Sequence, residues 1–192
     1  MTSQRYGTVV SGTFHIWGFY GTFYRKWRKY PFGSGEMVSL RPKSVTCMNA
    51  YKEVTIYFGL TDEKDISLAD ILTCIPLGER REWALLHMEA LGHPGDLDVL
   101  KFQSEAEIHG IVYEWDALQQ MQDRFAQVIE MMVVGGERVS HLRRAQPFGE
   151  ILEAAEYVVE LVDGGFWVVH TRSEQAIHNI CGRFPRVEVV EL

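Results

Sequence analysis

The sequence predicts an α+β domain: a mostly antiparallel sheet, packed helices and a C-terminal hairpin–helix–strand (βαβ) unit. Three observations carry this reading. At 46% hydrophobic and 23% charged residues, the 192-residue chain has the composition of a folded globular protein, which excludes a disordered one. Short alternating apolar runs recur between stretches with helical spacing. The last 36 residues hold the clearest unit: "YVVELV", the turn "DGG", "FWVVHTR", a helix and "VEVVEL".

Taken in order, residues 7–17, "GTVVSGTFHIW", read as a strand interrupted by Gly12. Residues 18–33, "GFYGTFYRKWRKYPFG", interleave rings with cations. At 100° per residue, Phe19, Phe23, Trp27 and Tyr30 fall within ~80° of one another, with Tyr20 and Tyr24 extending the stripe. Arg25, Arg28 and Lys29 lie opposite. The spacing predicts a helix over 19–30, stopped by Pro31, with a buried aromatic face and a basic outer face. "EMVSL", "SVTCM" and "EVTIYFGL" alternate as strands of a meander. Ser67, with Asp70 three residues on, is the N-cap of a short helix ending at Pro76.

"ERREWALLHMEALG" (79–92) predicts a helix with Trp83, Leu86, Ala90 and Leu91 on one face. "IHGIVYEW" (108–115) predicts a strand, and Asp116 then caps a long helix to about Val134. Met121, Phe125, Val128, Ile129 and Met132 supply that helix's buried stripe, and Gly135-Gly136 ends it. A further helix is expected over roughly 147–156. After the hairpin, Ser173 caps a helix lined by Ile177, Ile180, Cys181 and Phe184, and Pro185 closes it. A strand–helix–strand run of this kind places its two strands parallel in one sheet. The chain is expected to form one domain over 1–192. The turn cluster "GHPGD" (92–96) is the place where lobes 1–92 and 97–192 would join.

Charge is unevenly spread. Residues 1–60 hold eight Lys and Arg against Glu36 and Glu53, a balance of +6, which leaves −13 for the rest of a chain whose formal net charge is −7. Three separated cysteines, Cys47, Cys74 and Cys181, suggest neither a disulfide framework nor a zinc site. No window reaches the ~18 apolar residues of a membrane span, and the N-terminus lacks a signal peptide's apolar run. A cytoplasmic location is expected.

Few residues point to chemistry. His87 and His93 flank a helix end in this reading and cannot share one helical face as ligands, and the other histidines have no partner at a recognisable spacing. No metal site and no cofactor are therefore expected. His170 is the best catalytic candidate, because it ends a buried strand just before a helix N-terminus. Without an identified partner, it reads first as a structural histidine. No nucleophile elbow and no phosphate-binding glycine loop occurs. Glu150, Glu153 and Glu156, at three-residue spacing, form an acidic helical side that fits a basic partner.

Together these features predict a non-enzymatic binding or inhibitory protein, of the immunity or anti-defence type, that docks on the basic patch of a protein partner. Free nucleic acid is not expected to bind. Two alternatives accompany this: nucleic-acid binding through Arg25, Arg28 and Lys29, and an enzyme built around His170.

Overall fold

The structure is a computed structural model that describes residues 50–58, 65–93 and 98–192, all within one compact unit, Thr46–Leu192. The expected strands at 7–17, 36–40 and 44–48 and the aromatic helix at 19–30 lie outside the described residues, as does most of the 92–96 turn.

The strands are β1 (Lys52–Tyr57), β2 (Glu82–Gly92), β3 (Ile111–Tyr113), β4 (Phe125–Gly136), β5 (Tyr157–Val162), β6 (Phe166–Thr171) and β7 (Val187–Glu191). Among the described residues they form one seven-stranded sheet in the order β3-β2-β4-β5-β6-β1-β7. Every neighbouring pair is antiparallel. The helices are α1 (Leu68–Leu72), α2 (Val99–His109), α3 (Trp115–Gln119), α4 (Phe148–Ala154) and α5 (Glu174–Arg183). The fold is α+β, as the sequence predicts.

Side chains alternate across the sheet and so build two cores. On the first face Val54, Ile56, Trp83, Leu85, Val133, Val159, Trp167 and Val169 meet α1, α2, α3 and α5. On the second face Ala84, Leu86, Met132, Val134 and Val158 meet Ile151 of α4 and Val139 and Leu142 of the β4–α4 connection. The first core is anchored by two tryptophans with no exposed surface. Their indole N–H groups are satisfied, Trp83 donating to the Gly78 carbonyl and Trp167 to that of Ile66, each at 2.8 Å. A buried indole needs such a partner to avoid the cost of a stranded donor.

Local signals hold where the chain closes on itself. Ser67 caps α1 in a reciprocal box with Asp70, although the helix ends at Leu72, before Pro76. Asp163 and Gly164 both take positive φ, at 50° and 60°, in the tight turn joining β5 to β6. Ser173 caps α5, its hydroxyl accepting from the Ala176 N–H at 3.2 Å. β6 and β7 both run antiparallel to β1, which lies between them, so they are parallel to each other across the α5 crossover. Ile177 and Ile180 are buried as expected, but Cys181, one turn on from Ile177, is exposed.

Two long segments overturn the sequence expectation. Residues 82–92 are a strand, not a helix. Trp83, Ala84, Leu85 and Leu86 are buried consecutively and feed the two cores in alternation, which is the signature of a strand covered on both sides. Residues 116–134 are not one helix either. Glu114 is the N-cap of α3, with Asp116 inside its first turn. A 3₁₀ turn (Met121–Arg124) follows, and the remainder is β4. In both places good helix formers such as Leu, Met, Glu and Ala are overruled by cross-strand pairing. Gly135 is thus not a helix end. It lies in β4 under the Trp83 ring, where an added Cβ would come within 2.5 Å of an indole carbon. The expected strand at 108–115 is shorter, because α2 runs to His109 and Gly110, at φ +66°, turns the chain into β3.

Candidate functional site

The second face carries the polar residues of the sheet. β6 sets His170 opposite Glu53 of β1 and Val158 of β5, and Glu160 follows two residues along β5. That diagonal is within reach of long side chains. His170 Nε2 lies 3.0 Å from Glu160 Oε2, and its Nδ1 lies 4.0 Å from Glu53 Oε2. The ring is 1% exposed, and Glu53 is 8% exposed. The edge of the Phe148 ring closes over the imidazole with centroids 5.1 Å apart.

A second histidine–carboxylate pair sits on neighbouring strands. The register shifts by one residue between Leu85 and His87, so that His87 pairs with Met132 and joins Leu86 on the second face. His87 Nε2 is 3.5 Å from Glu130 Oε2. That atom and His170 Nδ1 are buried without a hydrogen-bond partner.

A carboxylate at Nε2 calls for a donor there and fixes the ring, which is the orienting half of a general-base arrangement. The other half is missing among the described residues. The Thr171 hydroxyl accepts from the Ser173 N–H at 3.0 Å, and the Ser173 hydroxyl caps α5. The hydroxyls next to His170 in sequence are therefore engaged in shaping the helix entry. His170 does have partners, which the sequence did not reveal. Glu160 lies in the same hairpin, and the turn at Asp163-Gly164 sets its register against β6. Glu53 arrives by pairing with a distant strand and leaves no local signal.

The three acidic residues do not share one helical side. Glu150 and Glu153 are exposed on α4, but the helix ends at Ala154 and Glu156 lies beyond it, paired with Arg81 at 2.8 Å. Arg25, Arg28 and Lys29 lie outside the described residues. The described surface is strongly acidic: sixteen Asp and Glu are exposed, against six Lys and Arg.

Glu82 works as an internal cap. Its carboxylate accepts the N–H of Ser140 at 2.9 Å and that of Val139, tying β2 to the β4–α4 connection. The Ser140 N–H, with help from Val139, holds its carboxyl below the ordinary value of 4.5. Just before β1, burial pushes the Tyr51 phenol above its ordinary value. Its ring is covered by the Arg172 guanidinium, 4.0 Å away.

Among the described residues no group of three or more His, Cys, Asp or Glu is arranged to hold a metal ion. Nor is any helix among them long and apolar enough to cross a membrane. Comparison of the chain with protein-family models, curated proteins and solved structures finds no match.

Proposed function

We propose that this chain is a non-enzymatic, cytoplasmic binding or inhibitory protein that docks its acidic surface on a basic protein partner. The observation that carries the reading is the excess of sixteen exposed carboxylates over six exposed Lys and Arg among the described residues. Such a surface attracts opposite charge and speeds encounter with a basic patch, an effect that salt screens over ~8 Å. Glu150 and Glu153, exposed on α4, are its docking residues. Phosphate backbones are repelled by the same surface. The burial of His170 supports a binding role over a catalytic one, because a general base must reach its substrate.

A gel-shift titration with single- and double-stranded DNA and RNA at low salt separates this reading from nucleic-acid binding. The expected result is no shift below about 10 μM protein, weaker than the usual non-specific range at low salt. Tight, salt-sensitive binding abolished by Arg25→Glu, Arg28→Glu and Lys29→Glu would replace it with the nucleic-acid alternative.

A further inference from the structure

Away from the histidines, the end of β3 and the turn after α3 enclose a cleft of about 360 Å³ lined by Tyr113, Ala117, Gln120, Asp123 and Arg124. Its size is at the lower end of ligand pockets, which run from ~300 to ~1,000 Å³. Two of its polar groups have bonding capacity open to a ligand. The Tyr113 hydroxyl oxygen is buried with no partner within 3.5 Å, and the Arg124 guanidinium lies beside it. Arg124, whose guanidinium lies 5.7 Å from the Phe102 ring centroid, has no carboxylate within 4.0 Å among the described residues. A stranded buried hydroxyl costs stability, and a guanidinium offers a planar fork that matches a carboxylate.

The rest of the lining narrows the ligand. Burial pushes the Tyr113 phenol above its ordinary value, the charge and the N–H groups of Arg124 pull it down, and the Glu105 charge raises it again. Asp123 and Arg124 both line the cleft, and Glu105 adds negative charge near Tyr113. That balance opposes a bare anion, and Arg124 opposes a bare cation. A zwitterion satisfies both. We propose that this cleft binds a small amino-carboxylate about the size of a free amino acid. Its carboxylate lies against Arg124 and Tyr113, and its ammonium faces Asp123.

The test is thermal unfolding of the full chain with each of the twenty free L-amino acids at about 10 mM, a concentration that reveals millimolar affinities. Acetate and methylamine serve as half-ligands. At least one amino acid is expected to raise Tm in a saturable way, and neither half-ligand should match it. Arg124→Gln, at an exposed position, should weaken binding about tenfold or more, and Asp123→Asn about fivefold. Tyr113→Phe should also weaken binding about tenfold while leaving the unliganded protein as stable as before or more so, since it deletes an unsatisfied hydroxyl. The proposal is overturned if no amino acid raises Tm, if Arg124→Gln binds as well as wild type, or if acetate alone matches the best amino acid.

Discussion

The two faces of the sheet do different work with the same strands. On the first, tryptophans and branched aliphatic side chains pack against four helices, and both indole N–H groups are satisfied by backbone carbonyls. On the second, a smaller apolar cluster under α4 borders His87, Glu130, Glu160, His170 and Glu53. A chain selected only for stability would have little reason to set one buried and one half-buried histidine ring beside glutamates, since such pairs at best offset the cost of desolvating them. The first face explains why the protein folds. The second carries polar pairs that packing alone does not account for.

The largest expected effect is on the first face. Trp83→Ala removes a fully buried ring that packs between Trp115 and Tyr157, with centroids 5.7 and 6.1 Å away. It also strands the Gly78 carbonyl. Denaturant melts should show a loss of ~3–5 kcal/mol. A loss below ~1 kcal/mol would mean that the first face is not the stabilising one.

An intermediate effect is expected at the histidine cluster, and there its asymmetry is informative. Glu160→Ala leaves His170 Nε2 buried without its partner and should cost ~1–3 kcal/mol. His170→Leu combined with Glu53→Gln replaces the ring by an apolar side chain next to Phe148, removes the buried Glu53 charge and leaves Glu160, which is partly exposed, to water. Its cost should be within ~1 kcal/mol. If this double variant proves the more damaging of the two in the same melts, the ring is a packing element and the contrast between the faces weakens.

What the sequence made legible follows the range of each interaction. The β5–β6 hairpin, the Ser67 box and the Ser173 cap are set by neighbours a few residues apart, so their signals are local. β2 and β4 are set by each other. Their Leu, Met, Ala and Glu residues favour helix, and apolar residues three and four apart mimic a helical stripe. Only the close fit of Trp83 on Gly135, which joins two distant stretches of chain, shows why they must be strands. The candidate site divides in the same way. His170 was visible at its strand end, and Glu160 was within reach of hairpin register. Glu53, His87 and Glu130 were not, because long-range pairing and a β-bulge bring them to that face.

A smaller effect concerns pH and the tie between β2 and the β4–α4 connection. Glu82 has a folded carboxyl value held below 4.5 by the Ser140 and Val139 N–H groups. A depressed folded value means that its contribution is complete above the ordinary glutamate range. It is lost as pH falls through the lower folded value. Stability measured from pH 7 down to about 3 should therefore fall on the acid side, and Glu82→Gln should flatten part of that fall. An unchanged acid limb in the variant would remove Glu82 from the account.

The smallest expected effect on stability belongs to Glu150→Lys with Glu153→Lys, within about 0.5 kcal/mol because both side chains are exposed on α4. The same double variant gives the most direct test of the acidic docking claim. Wild type and variant would be used as baits in a pull-down from the native cell after nuclease treatment. Captured proteins would be quantified by mass spectrometry at about 50 and 300 mM salt, which brackets the screening range. A partner with a basic patch should be enriched by wild type at low salt. It should fall about tenfold or more at high salt, and similarly with the charge-reversed bait. Capture that is indifferent both to salt and to the reversal at Glu150 and Glu153 would contradict the account.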